Sequence, residues 1–222
     1  MYDMQVLNGE IYDSFMKRLI DIILSMILLL FFFPFCIILA FLIKLSGSGP
    51  VLADTPERVG KKGHLFKMYK FRSMIANAHN LLRKDPKFKG LYAKYKRNSY
   101  KLKEDPRVTF LGKFMRKHSL DEIPQLLNVL KGDMSLVGPR AYYPDELDNQ
   151  QKKYPETRLL VNRVLSIKPG ITGYWQVSGR SAVNFDKRIA MDADYVAKRS
   201  LWYDIKILLK TPCAMLTGKG AV

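Results

Sequence analysis

The feature that most constrains this chain is an uncharged apolar run near its N-terminus, from Ile22 to Ile43. As a helix, its 22 residues would reach roughly 33 Å, about the hydrocarbon thickness of a bilayer. The run is too long for a signal peptide, and no clean small-x-small cleavage site follows it. We therefore expect residues 1–46 to form a membrane segment and residues 47–222 to form a separate domain outside the bilayer.

Two paths through the bilayer stay open for this segment. Pro34 lies in the middle of the run and removes one backbone donor, which favours a kink or a break. Lys17 and Arg18 precede the run and Lys44 follows it, so the positive-inside rule does not distinguish the two flanks. A re-entrant helix–break–helix on the cytoplasmic face satisfies both flanks, and a spanning helix with an internal proline is equally compatible with the pattern.

The net charge of +17 predicts an anionic partner. Most of the surplus lies between Lys61 and Lys117, where 18 Lys and Arg residues stand against three acidic ones. Nucleic acid, anionic lipid and a phosphorylated substrate all fit the charge alone. Cys36 and Cys213 are too few for a disulfide framework and are typical of free thiols in a reducing compartment.

Hydrophobic periodicity predicts an α+β fold that is mostly helical, with few short strands. Strands are expected at 51–53 and 64–71, and helices at 73–83, within 155–168 and at 185–199. The stretch from Asp85 to Lys103 reads as a loosely helical basic surface. Ser200 to Leu216 is amphipathic and carries Trp202, so it is either an interfacial helix at the membrane surface or a helix that packs on the core.

The strongest chemical signal is an acidic pair, Asp121-Glu122, within Ser119 to Leu127. Ser119 and Glu122 have the spacing of a capping box, which would place both acids in a first helical turn and favour their charged forms. Capping alone explains Glu122, but a dense basic tract that includes Arg116 precedes the pair. Two neighbouring carboxylates can hold Mg²⁺ that also bridges substrate phosphates, and either one can attack phosphorus.

Later segments offer further contacts, each with a simpler structural alternative. Gly138-Pro139 predicts a turn that presents Arg140, either as a phosphate fork or as a surface arginine. Between Lys168 and Arg180, three glycines and Trp175 could approach a ligand, or the segment could form a short hairpin. Asp192-Ala193-Asp194 resembles a metal-binding Asp-x-Asp, but side chains at i and i+2 diverge on a helix, so a surface position is expected.

Six blocks of residues stand in order between about Phe15 and Thr211. They are Lys17-Arg18-x-x-Asp21, Tyr69 to Met74, Ser119 to Glu122, Asn128 to Ser135, Val137 to Arg140, and Lys168 to Gly173. Each block is weak alone, but together they are specific. The chain resembles the bacterial sugar transferase family, the monotopic polyprenyl-phosphate hexose-1-phosphate transferases.

The resemblance implies an enzyme on the cytoplasmic face of the bacterial inner (plasma) membrane, with a re-entrant helix broken at Pro34. Phe33 stands where the family often has serine. The implied phosphoglycosyl transferase moves a sugar-1-phosphate from a UDP-sugar, with a leaning to UDP-hexose, to polyprenyl (undecaprenyl) phosphate and releases UMP. That reaction begins exopolysaccharide, capsule or O-antigen-type glycan assembly. The implied partners are these two substrates and an anionic lipid surface, without nucleic acid, and a homodimer stays open.

The resemblance also assigns roles to individual residues. Asp121 would be the nucleophile that forms a phosphosugar–enzyme intermediate, and Glu122 would hold Mg²⁺ with it. Four basic residues would bind substrate phosphates: Lys70, Arg72, Arg116 and Arg140. The nucleotide or sugar would contact Gly173, Trp175, Gln176, Arg180 and Asp192. Asp192 and Tyr195 match an Asp-x-x-Tyr pattern to which no role is assigned.

The rival hypothesis is a non-enzymatic, membrane-anchored basic module that binds anionic lipid or nucleic acid. It accounts for the charge and the apolar run, and it predicts nucleic-acid binding with a steep salt dependence. It gives no reason for Asp121-Glu122 amid the cations. Neither the UDP-sugar nor the glycan pathway follows from the sequence.

Overall fold

The computed structural model describes residues 15–98, 100, 102, 104–178 and 184–217. Its helices are α1 (Lys17–Leu45), α2 (Ala78–Lys84), α3 (Lys89–Arg97), α4 (Phe110–Lys117), α5 (Gln125–Lys131), α6 (Pro144–Lys153), α7 (Arg158–Val164), α8 (Tyr174–Ser178), α9 (Phe185–Lys198) and α10 (Leu201–Thr217). Its strands are β1 (Arg58–Val59), β2 (Leu65–Phe66), β3 (Ser135–Val137) and β4 (Gly170–Thr172). The prediction of a mostly helical fold with few short strands is confirmed.

The strands form two small sheets. β1 pairs antiparallel with β2, and β3 pairs parallel with β4. The parallel pair brings Gly138 against the chain after β4, where a Cβ on Gly173 would fall on the carbonyl oxygen of Gly138. The hairpin alternative for this segment is therefore wrong, because its strand pairs with β3 and then leads into α8. The strand predicted at 51–53 makes only an isolated bridge, between Leu52 and Phe71.

The helix predicted at 73–83 begins later, at Ala78. Residues before it are held in extended contacts: the backbone N–H of Ile75 donates to the carbonyl of Arg107 at 2.8 Å, and Met74 bridges Val108. The predicted helices within 155–168, at 185–199 and at 200–216 are confirmed as α7, α9 and α10. The basic stretch after α2 contains α3, which is more regular than the loose helix expected.

Helix α1 runs without interruption from Lys17 to Leu45, with Pro34 inside it. Two helices separated by a break at Pro34 are therefore not what the structure has, and the re-entrant path is not confirmed. The buried residues of α1 lie toward its two ends, while Leu30 in the middle is 80% exposed. By length and composition, α1 is the helix of the described residues that could cross a membrane.

Polar contacts attach both ends of α1 to the rest of the domain. Near its start, Arg18 donates to the last carbonyls of α5, and Asp21 Oδ1 accepts the backbone N–H of Leu136 at 3.1 Å. At its end, Arg72 donates to the Ile43 carbonyl at 2.8 Å. A guanidinium is well placed at carbonyls that end a helix, because they carry partial negative charge. The block around Lys17 to Asp21 thus has a structural role.

Two apolar clusters form the core. The larger joins the end of α1 to α5, β3, α9 and α10, and the smaller lies between α6, α7 and α9. Helix α10 buries Ile207 in the larger cluster, yet Trp202 is 73% exposed and Leu209 75%. The core-packing prediction is therefore confirmed for one face of this helix, and the interfacial prediction concerns the other, exposed face.

Candidate active site

The acidic pair lies on a short 3₁₀ turn, Leu120–Glu122, rather than in the first turn of an α-helix. Ser119 has a left-handed backbone (φ 55°) and makes no side-chain cap, so the predicted capping box is wrong. Helix α5 begins only after Pro124. The carbonyl of Asp121 accepts the backbone N–H of Phe71 at 2.9 Å, which fixes the turn to the segment that carries Lys70. Because neither acid serves as a cap, both carboxylates are available to the site.

Glu122 is held by Lys70. Lys70 Nζ donates to Glu122 Oε1 at 2.6 Å, and the two side chains are 20% and 29% exposed. Burial works to raise the pKa of Glu122, but Lys70, together with Arg140 and Arg58, outweighs it and lowers that pKa below its usual value. Glu122 is therefore a firmly charged carboxylate.

Asp121 is buried, with 6% of its surface exposed. Burial, with a contribution from Glu122, raises the pKa of Asp121, although Lys70 and Arg116 act against the rise. One turn thus carries two carboxylates whose pKa values are pushed in opposite directions. Adjacent groups perturbed in this way are typical of functional sites.

Two arginines predicted to bind phosphate lie near the pair. Arg116 is half-buried, acts on the pKa of Asp121, and makes no side-chain hydrogen bond within the described part of the chain. Arg140 lies with its guanidinium carbon 5.6 Å from the ring centre of Trp175, and its buried Nε has no partner among the described residues. Both guanidiniums can therefore turn to a phosphate group.

Arg72 is used differently. Its guanidinium donates to the carbonyls of Ile43 and Gly47, each at 2.8 Å, and to that of Ser48. The side chain lines the site cavity but is occupied by the end of α1. The structure therefore favours a structural role for Arg72 over the phosphate contact predicted from the sequence.

The residues predicted to contact nucleotide or sugar do not form one surface. Gly173 is explained by its close approach to Gly138, and Gln176 Nε2 donates to the Ile171 carbonyl at 2.8 Å. Trp175 is only 3% exposed, although it borders the site cavity. Arg180 lies outside the described residues.

Asp192 is fully buried, so the expectation of a surface position is wrong. Its Oδ2 accepts the backbone N–H of Arg140 at 3.2 Å and the hydroxyl of Tyr142 at 3.1 Å. Burial raises the pKa of Asp192 to about 7 despite these hydrogen bonds and the nearby Arg188. The carboxyl lies behind Arg140 and supports its backbone.

A cavity of about 1410 Å³ contains the acidic pair. This exceeds the roughly 300–1,000 Å³ of ordinary small-molecule pockets. One part of its wall is apolar and comes from α1 and α10, with Leu24, Leu28 and Phe32 among its residues. Another part was missed by the sequence analysis and is formed by Arg58, His79, Tyr95, Arg107 and Tyr143. The tyrosine-rich composition of the basic stretch was the available signal for it.

Asp121 and Glu122 supply carboxylate oxygens, which are ligands for hard cations such as Mg²⁺. Within the described residues, no group of three or more His, Cys, Asp or Glu side chains could hold an ion. Mg²⁺, however, is usually bound by one or two carboxylates together with waters and substrate phosphates. The oxygens of Asp121 and Glu122 fit that pattern.

These features define a class of protein: mostly helical, with a long exposed apolar helix that forms one wall of a cavity, and an acidic pair set among cations in that cavity. The family model described as bacterial sugar transferase matches residues 12–218, and the chain belongs to that family. The resemblance seen in the sequence is confirmed.

Individual curated relatives are similar to nearly the whole of this chain. The chain is 45% identical over 213 residues to the undecaprenyl-phosphate galactose phosphotransferase of Salmonella typhimurium, covering 94% of this chain and 42% of the relative. It is 44% identical over 210 residues to the galactosyl transferase CpsE of Streptococcus agalactiae, covering 92% and 43%. It is 38% identical over 210 residues to the exopolysaccharide production protein ExoY of Sinorhizobium fredii, covering 92% and 87%. The chain thus spans less than half of the first two relatives and most of the third.

Proposed function

We propose that this protein transfers a hexose-1-phosphate from a UDP-hexose to polyprenyl (undecaprenyl) phosphate, releasing UMP and forming the polyprenyl-diphosphate-sugar that begins exopolysaccharide or capsule assembly. The observation that carries the proposal is the buried Asp121 beside the Lys70–Glu122 pair, in a cavity walled partly by α1. The names of the relatives supply the substrate class, since two of them refer to galactose and one to exopolysaccharide.

The reaction takes place in two displacements at one phosphorus atom. An Asp121 carboxylate oxygen attacks the phosphorus next to the sugar, and the bond from that phosphorus to the bridging oxygen breaks, so that UMP leaves with the electron pair. A terminal oxygen of polyprenyl phosphate then attacks the same phosphorus and breaks its bond to Asp121. The carboxylate is restored, and the product carries the new diphosphate.

The surrounding side chains serve the charge that develops on the phosphate oxygens. Arg116 and Arg140 supply guanidinium donors, and fixed donors of this kind stabilise a transition state without reorganising. Lys70 keeps Glu122 ionised and in place. Mg²⁺, held by Asp121 and Glu122 with the substrate phosphates, would supply further neutralisation of negative charge.

We further propose that α1 is re-entrant and that the domain lies on the cytoplasmic face. Both ends of α1 are bonded to the same domain, through Arg18 and Asp21 at one end and Ile43 at the other. A helix that crosses the bilayer would carry one of these ends about 30 Å away, to the opposite surface. The exposed face of α10 would rest on the anionic lipid surface.

The topology is tested by labelling a single cysteine introduced by Met4→Cys in a variant without Cys36 and Cys213. A membrane-impermeant thiol reagent should label this cysteine in inverted vesicles, where the cytoplasmic face is outermost. It should not label the cysteine in intact cells, where the reagent reaches only the periplasmic face. Labelling from the periplasm would show a spanning helix instead.

The activity is tested by UMP release from a panel of UDP-sugars, with polyprenyl phosphate and Mg²⁺ supplied. UDP-galactose or UDP-glucose should give the fastest release, and chelation of Mg²⁺ should stop it. Asp121→Asn should retain the circular dichroism spectrum of the wild type and abolish turnover. Full turnover by that variant would refute the nucleophile, and salt-sensitive nucleic-acid binding without any UMP release would favour the rival module.

A further inference from the structure

We infer that the nucleoside of the UDP-sugar binds in an aromatic recess of the cavity, formed by Arg58, His79, Tyr95 and Tyr143, and not against α8. This inference rests on the proposed function. It assigns a base-binding role to four residues that lie outside the sequence motifs and that the names of the relatives do not indicate.

The aromatic recess is continuous with the acidic pair. All four of its residues line the cavity that contains Asp121 and Glu122. Arg58 connects the two regions, because it is close enough to Glu122 to help lower that residue's pKa, while its guanidinium carbon lies 3.3 Å from the ring centre of Tyr143. A diphosphate at the acidic pair would therefore place its nucleoside within reach of the recess.

The recess offers the surfaces that a pyrimidine base requires. Its rings form a connected series: Tyr143 lies 6.4 Å from Tyr100, and Tyr100 lies 5.1 Å from Tyr95, between ring centres. Nucleobases stack on such rings, and arginine planes add to the stack. The Tyr100 hydroxyl is fixed by Asn149 and the carbonyl of Asp145, which keeps its ring in place. Tyr100 and Tyr143 are themselves buried, so the half-buried rings of Tyr95 and His79, which border the cavity, are the surfaces on which a base can stack.

His79 gives the recess a neutral polar group. Its ring centre lies 6.4 Å from that of Tyr143. Burial, with Arg58 and Arg107 adding to it, lowers the pKa of His79 to about 4. The imidazole is therefore uncharged at neutral pH and has one donor and one acceptor, which suits the uncharged carbonyl and imide edge of uracil.

The rest of the cavity wall is less suited to a base. Trp175 is almost fully buried and already has the guanidiniums of Arg140 and Arg188 at 5.6 and 5.5 Å from its ring. Gln176 Nε2 donates to the Ile171 carbonyl, which leaves its Oε1 as an acceptor only, whereas the imide edge of uracil needs a donor and an acceptor side by side. The wall supplied by α1 is apolar and uncharged, and it suits an isoprenoid chain. Among the described residues of the wall, the aromatic recess suits the nucleoside best.

The experiment compares two tyrosines of α3. Tyr95 lines the cavity, whereas Tyr92 does not and instead lies under Lys96 Nζ, 4.6 Å from its ring centre. UMP binding is measured by calorimetry on the full chain in nanodiscs, and KM is measured for both substrates. Tyr95→Ala should weaken UMP binding roughly tenfold or more and raise the KM for UDP-sugar, with the KM for polyprenyl phosphate unchanged. Tyr95→Phe, which keeps the ring, should bind like the wild type, and so should Tyr92→Ala.

The outcomes separate this inference from the proposed function. If the wild type turns over UDP-sugar and Tyr95→Ala binds UMP normally, the recess is wrong and the function stands. If Gln176→Ala weakens UMP binding while Tyr95→Ala does not, the base lies at α8 and the inference is overturned. If the wild type binds UMP through Tyr95 but turns over no UDP-sugar, the recess stands and the transferase fails.

Discussion

Arg72 either binds a substrate phosphate or anchors the end of α1, and the variant Arg72→Ala distinguishes these two roles. Of its three carbonyl partners, those of Gly47 and Ser48 belong to exposed residues and can be rehydrated, whereas Ile43 is fully buried. The Ile43 carbonyl keeps the Ser46 hydroxyl as a second donor at 2.9 Å, so the cost comes from losing the hydrogen bonds of a charged donor, about 1.5–3 kcal/mol for the buried one and less for the two solvated ones. We expect the free energy of unfolding to fall by about 2–4 kcal/mol.

The assay is thermal unfolding in nanodiscs followed by circular dichroism, with steady-state kinetics on the folded protein. For a chain of this size the loss corresponds to a decrease in Tm of roughly 4–16 °C. The KM for UDP-sugar should stay near that of the wild type. Arg116→Ala is the matched control, and it should raise that KM with little change in Tm, because its guanidinium donates to no carbonyl within the described part of the chain.

Gly49→Ala provides a second route to the same perturbation. A Cβ at Gly49 would collide with Arg72 Nη1, and the φ of +120° disfavours any other residue there. It should lower Tm in the same direction without removing the guanidinium charge. The reasoning is refuted if Arg72→Ala melts like the wild type but raises the KM for UDP-sugar tenfold, since Arg72 would then be a phosphate ligand.

Three further predictions follow from single contacts. Lys70→Ala removes the 2.6 Å hydrogen-bond donor of Glu122 and should reduce UMP release by about 10–100-fold. The change in Tm should be smaller than for Arg72→Ala, and wild-type turnover would contradict the prediction. The pKa of Asp192 is raised to about 7 from a usual value of 3.8, so the folded state binds the extra proton and stability is lost as pH rises between these values. Asp192→Asn removes that loss, so urea denaturation should show its stability improving relative to the wild type from pH 4 to pH 7, and a constant difference would contradict the raised pKa. Gly173→Ala, which places a Cβ on the Gly138 carbonyl, should lower the unfolding free energy by about 2–4 kcal/mol, whereas Gly90→Ala in α3 meets open space and should be neutral or stabilising.

What the sequence predicts well is local. The acidic pair, the amphipathic helices α9 and α10 and the long apolar helix were all predicted from periodicity and composition. The capping box at Ser119 failed because the spacing of a motif does not report its backbone: a left-handed φ at Ser119 and a 3₁₀ turn place the acids differently. Local pattern also misassigned Asp192, although its helical spacing from the buried Phe185, Ile189 and Val196 could have predicted a core-facing position.

What the sequence does not predict depends on contacts between distant segments. Arg72 meets carbonyls 24 to 29 residues away, and Asp21 accepts an N–H 115 residues away. No periodicity encodes these pairs, and a basic residue near a phosphate site looks the same whether it binds substrate or a helix end. The aromatic recess likewise assembles from β1, α2, α3 and the residue before α6, so only the fold brings its rings together.

The basic side chains between Lys61 and Lys117 have two functions, one for the buried side chains and one for the exposed ones. Arg72 and Arg107 are buried and hold fixed contacts. Arg72 donates to the end of α1, and Arg107 forms an ion pair with Asp105. Exposed lysines such as Lys94 on α3 contact no acidic partner within the described residues, so they act only through their field.

A field of this kind accelerates the encounter with anionic substrates and does not change the chemical step, so it should appear in kcat/KM and not in kcat. The Debye length falls from about 10 Å at 0.1 M salt to about 3 Å at 1 M. Added salt should therefore lower kcat/KM for UDP-sugar severalfold with kcat preserved, and Lys94→Glu should reproduce part of that loss at low salt and none at high salt. A fall in kcat for Lys94→Glu, measured by UMP release at saturating substrate, would show instead that α3 acts on the transition state, and the division of the charge into a committed interior and a steering surface would be wrong.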